Sequence, residues 1–238
     1  MHISDGLLPP AVLVGGFVVT GVCTGLSLRG LRDRDIPKTA MMTSAFFAAS
    51  LLHVPLGGTS VHLMLHGLVG AILGWRAMLP IVVGLTLQAL LFQHGGITTI
   101  GVNGMMIGVP AMVVGGLCRW VNLQRSRKIA MLWGFLAGAG AMILSLGIFM
   151  AVGLAADSRF FVAVQAMIVA HLIIAVAEGT VTAAAVRFLS HVDPQMLSNC
   201  IDVRPADCGD PDRLADPTGP GAQFGGNLPG GRREAGSH

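Results

Sequence analysis

The chain opens Met1-His2-Ile3-Ser4-Asp5-Gly6, with a histidine in second position. That order brings three nitrogens into chelating reach: the α-amine of Met1, the amide of His2 and its imidazole. Amine and amide close a five-membered ring on a metal ion, and amide and imidazole close a six-membered one. A planar set of three nitrogens needs one more donor, and Gly57-Gly58-Thr59-Ser60-Val61-His62 supplies a distant histidine. Square-planar nitrogen sites are characteristic of Ni(II) and Cu(II) among first-row metals. The chemistry requires that Met1 is neither removed nor acetylated, and a bulky second residue favours its retention. The plain alternative is an ordinary frayed N-terminus.

Other residues could support such a site. Asp5, the only acid in the first segment, could hold the turn that presents Met1 and His2, neutralise the site, or simply cap the first helix. Thr59 and Ser60 flank His62 as small polar candidates for supporting the ligands. His66 stands four residues after His62, on the same face if the segment is helical, and so either orients the first ligands, binds weakly or packs. Asn103, in a glycine-rich loop, either packs its amide over the site or serves the turn. His94 sits in a comparable loop, where it could draw cations in or stand solvated. Glu178 is the only acid inside an apolar run, and an ionisable group there is a functional candidate. His171 shares its helix face two turns away. Glu178 is read as lying toward the cytoplasmic end, in a packing or partner-coupling role. The thirteen methionines have no recognisable spacing and read as core filling.

The elements that must position these residues follow from composition. Apolar residues make up 53% of the 238-residue chain, charged residues 11%, and mean hydropathy is +0.72. Soluble domains are about 25% charged, so the chain reads as an all-α, polytopic membrane protein. A net charge of +3 argues for no nucleic-acid partner. The four cysteines match neither a paired zinc pattern nor a disulfide framework and read as unpaired. Residues 1–10 carry no Lys or Arg and end in Pro9-Pro10, unlike a cleaved secretory signal.

Apolar runs over about 11–28, 39–56, 63–75, 77–92, 105–117, 129–154 and 160–186 give about seven helices, the third too short to span comfortably. Residues 1–198 form the membrane-embedded domain. Beyond them, Asp, Pro and Gly dominate residues 199–238, which read as a disordered cytoplasmic tail. Arg29, Arg32, Arg34, Lys38, Arg76, Arg119, Arg125, Arg127, Lys128 and Arg187 fall in alternate connections, and Arg159 alone on the other side. That asymmetry puts the N-terminus outside and the C-terminus inside. Trp75, Trp120 and Trp133 fall at the cytoplasmic helix ends. Met1, His2 and His62 then share the outer side, on glycine-rich backbone that membranes tolerate only against protein or a cavity.

Missing motifs narrow the function. Without a Gly-Lys dipeptide there is no phosphate-binding P-loop, and HExxH and GxSxG are both absent. A chain that captures metal outside without an energy source relies on partners.

Met1-His2-Ile3-Ser4-Asp5-Gly6, the segments 55–62 and 95–103, and Ala177-Glu178-Gly179-Thr180-Val181-Thr182 resemble the CbiM/NikM family, the substrate-binding membrane components of energy-coupling factor importers for cobalt or nickel. The resemblance covers roughly residues 1–198. It implies binding through the Met1 amine, the His2 amide and imidazole, and the His62 ring. It implies a bacterial or archaeal cell membrane and three kinds of partner: a transmembrane coupling protein, cytoplasmic ATPase subunits and often a small accessory membrane subunit. Ni(II) or Co(II) would be transported ligand rather than cofactor, and planar nitrogen geometry leans to Ni(II). His66 departs from the family pattern. The rival readings are a metal-dependent intramembrane enzyme, which needs a carboxylate beside an open metal position, and a passive cation channel or sensor.

Overall fold

The structure is a computed structural model. It describes residues 2–29, 31–56, 59–118, 127–156 and 160–197, without the side chains of 53–61, 127, 160–167 and 194–195. The expectations for the Met1 amine, the Thr59 and Ser60 side chains, the loop holding Arg119, Trp120 and Arg125, Arg159, and the tail lie outside the described residues. All the described residues belong to one compact unit, Met1–Cys200.

Its helices are α1 (Pro10–Leu28), α2 (Ile36–Ser50), α3 (His66–Leu73), α4 (Met78–Phe92), α5 (Ile100–Cys118), α6 (Arg127–Ala156), α7 (Phe160–Val192) and α8 (Pro194–Leu197). Five stretches among the described residues are long and apolar enough to cross a membrane: 10–28, 66–92, 100–118, 128–156 and 168–192. The second joins α3 and α4 through a tight 3-10 turn at Gly74–Ala77. With 15 and 8 residues, α2 and α3 fall short of a bilayer-spanning length. Every residue of α3 is buried, so protein rather than lipid sets its length.

Small residues let backbones close on this short helix. A Cβ on Gly67 would strike Ala137 and Gly138 of α6, and one on Gly70 would strike the Ala111 carbonyl of α5. Gly115 of α5 faces Gly70 and Gly74 in the same way. Gly134 and Gly138 seat α6 against Ala183, Glu178 and Thr182 of α7. Small-residue contacts of this kind drive helix association where lipid removes the hydrophobic difference between helix and surroundings. The outward faces are apolar: Val18 is 59% exposed, Leu91 64% and Val169 66%, as a lipid-facing surface requires.

The sequence expectation for 39–56 needs correction. α2 stops at Ser50, and His53–Leu56 forms a strand, β1, paired antiparallel with β2 (Thr59–His62). The register is His53↔His62 through Leu56↔Thr59. Pro55 explains the break, because it drives Val54 out of the helical region. α5 also begins five residues earlier than expected, so Asn103 belongs to its first turn and not to a loop.

α1 separates the two ends of the unit. Before it lies His2; after it lies Asp35, whose carboxylate pairs with Arg76 at 2.6 Å. Ser27 also donates to the Trp75 carbonyl at 2.8 Å. The 19 residues of α1 put about 28 Å between these ends.

Candidate metal centre

Three elements bring imidazoles together at the His2 end. His2 precedes α1, His62 closes β2, and His94 follows α4. The His2 and His62 ring centroids are 4.8 Å apart with planes tilted by 34°. His94 stands edge-on to both, 5.8 Å from His2 and 6.1 Å from His62. His62 is 5% exposed. His2 is half-buried as a residue, but its two ring nitrogens are buried and meet no closer partner than the Gln88 side chain. Burial holds the His2 imidazole well below its ordinary pKa of 6.5, and the neighbouring His62 and His94 rings push the same way. The ring is therefore neutral at pH 7, the form that binds metal.

The backbone that carries His2 is fixed from α5. Ile3 N–H donates to Asn103 Oδ1 at 2.9 Å, and Asn103 Nδ2 donates back to the Ile3 carbonyl at 3.1 Å. One turn earlier, the Asp5 carboxylate accepts from Thr98 N–H at 3.2 Å and Thr98 Oγ1 at 2.5 Å. That contact replaces the helix-cap role weighed for Asp5, since α1 has no side-chain cap. Gly95 and Gly96 make room for it: a Cβ on Gly96 would overlap the Asp5 carboxylate, and one on Gly95 would press on Asn103 Nδ2 at 2.9 Å. Gly95 also has φ +82, a left-handed conformation glycine adopts at little expense.

Gln88, which the sequence reading did not single out, adjoins the His2 ring. Its Nε2 donates to Ser50 Oγ at 2.7 Å, and its Oε1 is buried beside the His2 ring. His94, read from sequence as drawing cations in or standing solvated, is half-buried beside the His2 and His62 rings. The signal that could have promoted it is topological, since its connection lies on the same side as His2 and His62.

One supporting residue is corrected in place. His62 and His66 do not share a helix face: His62 ends a strand, Leu65 has φ +53, and α3 starts only at His66. Fully buried, His66 instead pairs its Nε2 with Ser145 Oγ of α6 at 3.1 Å. Glu178 lies nearer the middle of α7 than either of its ends. It is fully buried at mid-helix, and its carboxylate accepts the backbone N–H of Met64 and that of Leu65, the latter at 2.8 Å. Those amides lead into α3, so Glu178 braces the segment directly after His62. His171 is buried in α7 at 2% exposure.

Among the described residues, no three His, Cys, Asp or Glu side chains are placed to hold a metal ion. A chelate built on backbone nitrogens does not need three such side chains, because only two of its donors are rings.

These features define a multi-pass helical membrane protein with three histidine rings clustered at one end. Residues 2–196 match the family model described as the cobalt uptake substrate-specific transmembrane region, CbiM. The chain belongs to that family. A putative metal transport protein of Haemophilus influenzae is 30% identical over 203 residues, covering 83% of this chain and 97% of the relative. The fused nickel transport protein NikMN of Rhodobacter capsulatus is 31% identical over 225 residues, covering 83% of this chain and 64% of the fused protein. The crystal structure of a transition metal transporter superposes with a TM-score of 0.64 at 24% identity, over 82% of this chain and 94% of that one.

Proposed function

We propose that the chain is the substrate-capturing membrane component of an energy-coupling factor importer for Ni(II) or Co(II). The observation that carries this reading is the His2 ring, whose buried nitrogens meet no closer partner than the Gln88 side chain and which packs 4.8 Å from the His62 ring. A buried polar group without a partner is expensive, and a metal ion repays it. The ligands are the Met1 amine, the His2 amide and imidazole, and the His62 imidazole. Asn103 and Asp5 hold residues 3–5 so that His2 meets His62.

The charge asymmetry of the connections supports an N-out, C-in orientation, with the pocket opening outward. Binding releases amide and imidazole protons, so affinity falls at acid pH. The planar nitrogen set favours Ni(II) over Co(II). Release inward depends on ATP hydrolysis by cytoplasmic subunits acting through a transmembrane coupling protein, with a small accessory membrane subunit completing the assembly. The fused relative, of which this chain spans 64%, supports such partnership. Residues 1–198 form the transporting domain and 199–238 a cytoplasmic tail.

Isothermal titration of Ni(II) and Co(II) into the full chain tests the site. His2→Ala, His62→Ala and an N-terminal extension should each abolish tight binding. Undiminished binding in all three removes the reading.

A further inference from the structure

We infer that the groove between α6 and α7, at the end remote from His2, holds one anionic phospholipid, with its phosphate on Arg187 and His191 and an acyl chain running to Phe135. The groove has a volume of about 810 Å³. Its floor is small, at Ala183 and Ala184, and its walls are large and apolar, at Leu132, Phe135 and Phe188. Phe135 closes the inner end because Gly179 has no side chain there: a Cβ would come within 2.8 Å of the ring. Thr180, at that same end, has its hydroxyl taken up by the Val176 carbonyl at 2.7 Å. The charge lies at the other end, where Arg187 and His191 line the groove one turn apart. Lys128, one turn before Met131 and Leu132 on the same face of α6, adds a further cation. The acid nearest in sequence is Asp193, just past α7, so Lys128 and Arg187 together outweigh it.

Length and place favour a lipid over a protein helix. From Thr180 to His191 the groove follows α7 for about 16 Å at the rise of an α-helix. One leaflet's share of the hydrocarbon core is about 15 Å. A strip that is apolar over one leaflet's depth and cationic at its outer end matches the polarity of an anionic phospholipid. The cationic end is also fixed in the fold. Lys38 Nζ donates to the Met196 carbonyl at 2.7 Å, three residues after the Asp35 that pairs with Arg76. In the orientation proposed above this is the cytoplasmic side, where anionic headgroups concentrate and basic pockets between helices take them. A guanidinium offers phosphate two parallel hydrogen bonds, and its aliphatic stem spans from the apolar strip to the headgroup.

Native mass spectrometry of the detergent-solubilised full chain, equilibrated with phosphatidylglycerol or phosphatidylcholine, tests the site. Detergent removes sidedness, so the result is independent of the orientation and of the metal centre. Wild type should bind phosphatidylglycerol about fivefold or more tightly than phosphatidylcholine. Arg187→Gln should erase that preference. Ala184→Trp, which fills the groove and leaves the charge, should weaken both lipids alike. Both positions are exposed, so neither change removes a buried side chain. Equal affinity of wild type for the two lipids, an undiminished preference in Arg187→Gln, or unchanged binding in Ala184→Trp overturns the inference and leaves the groove to a protein neighbour or to bulk lipid.

Discussion

Asn103 grips Ile3 from both sides, accepting its N–H at 2.9 Å and donating to its carbonyl at 3.1 Å, across a hundred residues of sequence. The side-chain amide mimics a β-partner for one residue of an otherwise irregular segment. Both groups are buried, so the pairing satisfies two backbone atoms that water cannot reach. Because His2 precedes Ile3, the same clamp pins the peptide that joins them and so the backbone from which the histidine departs.

Asn103→Leu keeps the volume and removes both bonds. Two buried backbone groups then lose their partners, at about 1–3 kcal/mol each. Thermal unfolding of the detergent-solubilised protein should show that loss, and nickel affinity should fall about 10- to 100-fold as an effect transmitted through ligand placement. An unchanged affinity would mean that the N-terminal segment finds its place without α5.

The Asp5–Thr98 contact makes a sharper test because Gly96 shares its space. Gly96→Ala puts a methyl group where the carboxylate lies and should undo the same contact that Asp5→Ala removes. The double variant should therefore bind nickel no worse than the poorer single variant, since residues in contact do not add. Additive losses in a titration series would show that the two positions act separately.

Glu178 braces α3 from α7. Glu178→Ala leaves the Met64 and Leu65 amides buried without an acceptor, a loss of about 2–5 kcal/mol, while Glu178→Gln retains one acceptor oxygen and should fall between. Unfolding by denaturing detergent measures the order. Equal stability of wild type and Glu178→Ala would show that the carboxylate only fills space.

Much of this was legible in the sequence and some was not, for reasons that can be named. The apolar runs located the long helices because a lipid-facing helix must be apolar over a fixed length. The hairpin at 53–62 was hidden because its first strand continues an apolar run; Pro55 was the available signal and length outweighed it. The partners of Glu178 were illegible because counting along a helix cannot reveal which neighbour's backbone arrives beside it. His94 was undervalued because burial of a loop ring depends on Gln93 and Gly95 turning the chain back, and left-handed backbone at a glutamine has no composition signal. Gln88 looked like one polar residue near a helix end until the N-terminal segment was laid across it.

The metal-free protein should also report its buried imidazole. Burial lowers the His2 pKa in the folded chain below 6.5, so the unfolded chain takes up that proton first as pH falls. Stability contributed by the neutral ring is then full above about pH 6.5 and is lost progressively below it, the sign required when the unfolded state binds more protons. NMR titration of the ring should give a midpoint below 6.5, and unfolding free energy should decline from pH 6.5 downward by less in His2→Phe than in wild type. A midpoint at or above 6.5 would place the ring in water.

Gln88 offers the last test, through the other nitrogen of the same ring. A chelate ring joining the His2 amide to its own imidazole can close at six members only through Nδ1. Metal binding therefore fixes the proton on Nε2, which then needs an acceptor inside a buried pocket. Gln88 Oε1 is buried beside the His2 ring, which is the one donor within its reach. A metal-bound histidine usually gives its second N–H to such a group, which raises the ring's basicity, and loss of that partner weakens affinity about 10- to 100-fold. Gln88→Leu should lose nickel affinity on that scale, and Gln88→Glu, a stronger acceptor, should match or exceed wild type. If leucine and glutamate variants weaken binding equally, Gln88 shapes the pocket through its volume and its bond to Ser50, and His2 finds another acceptor.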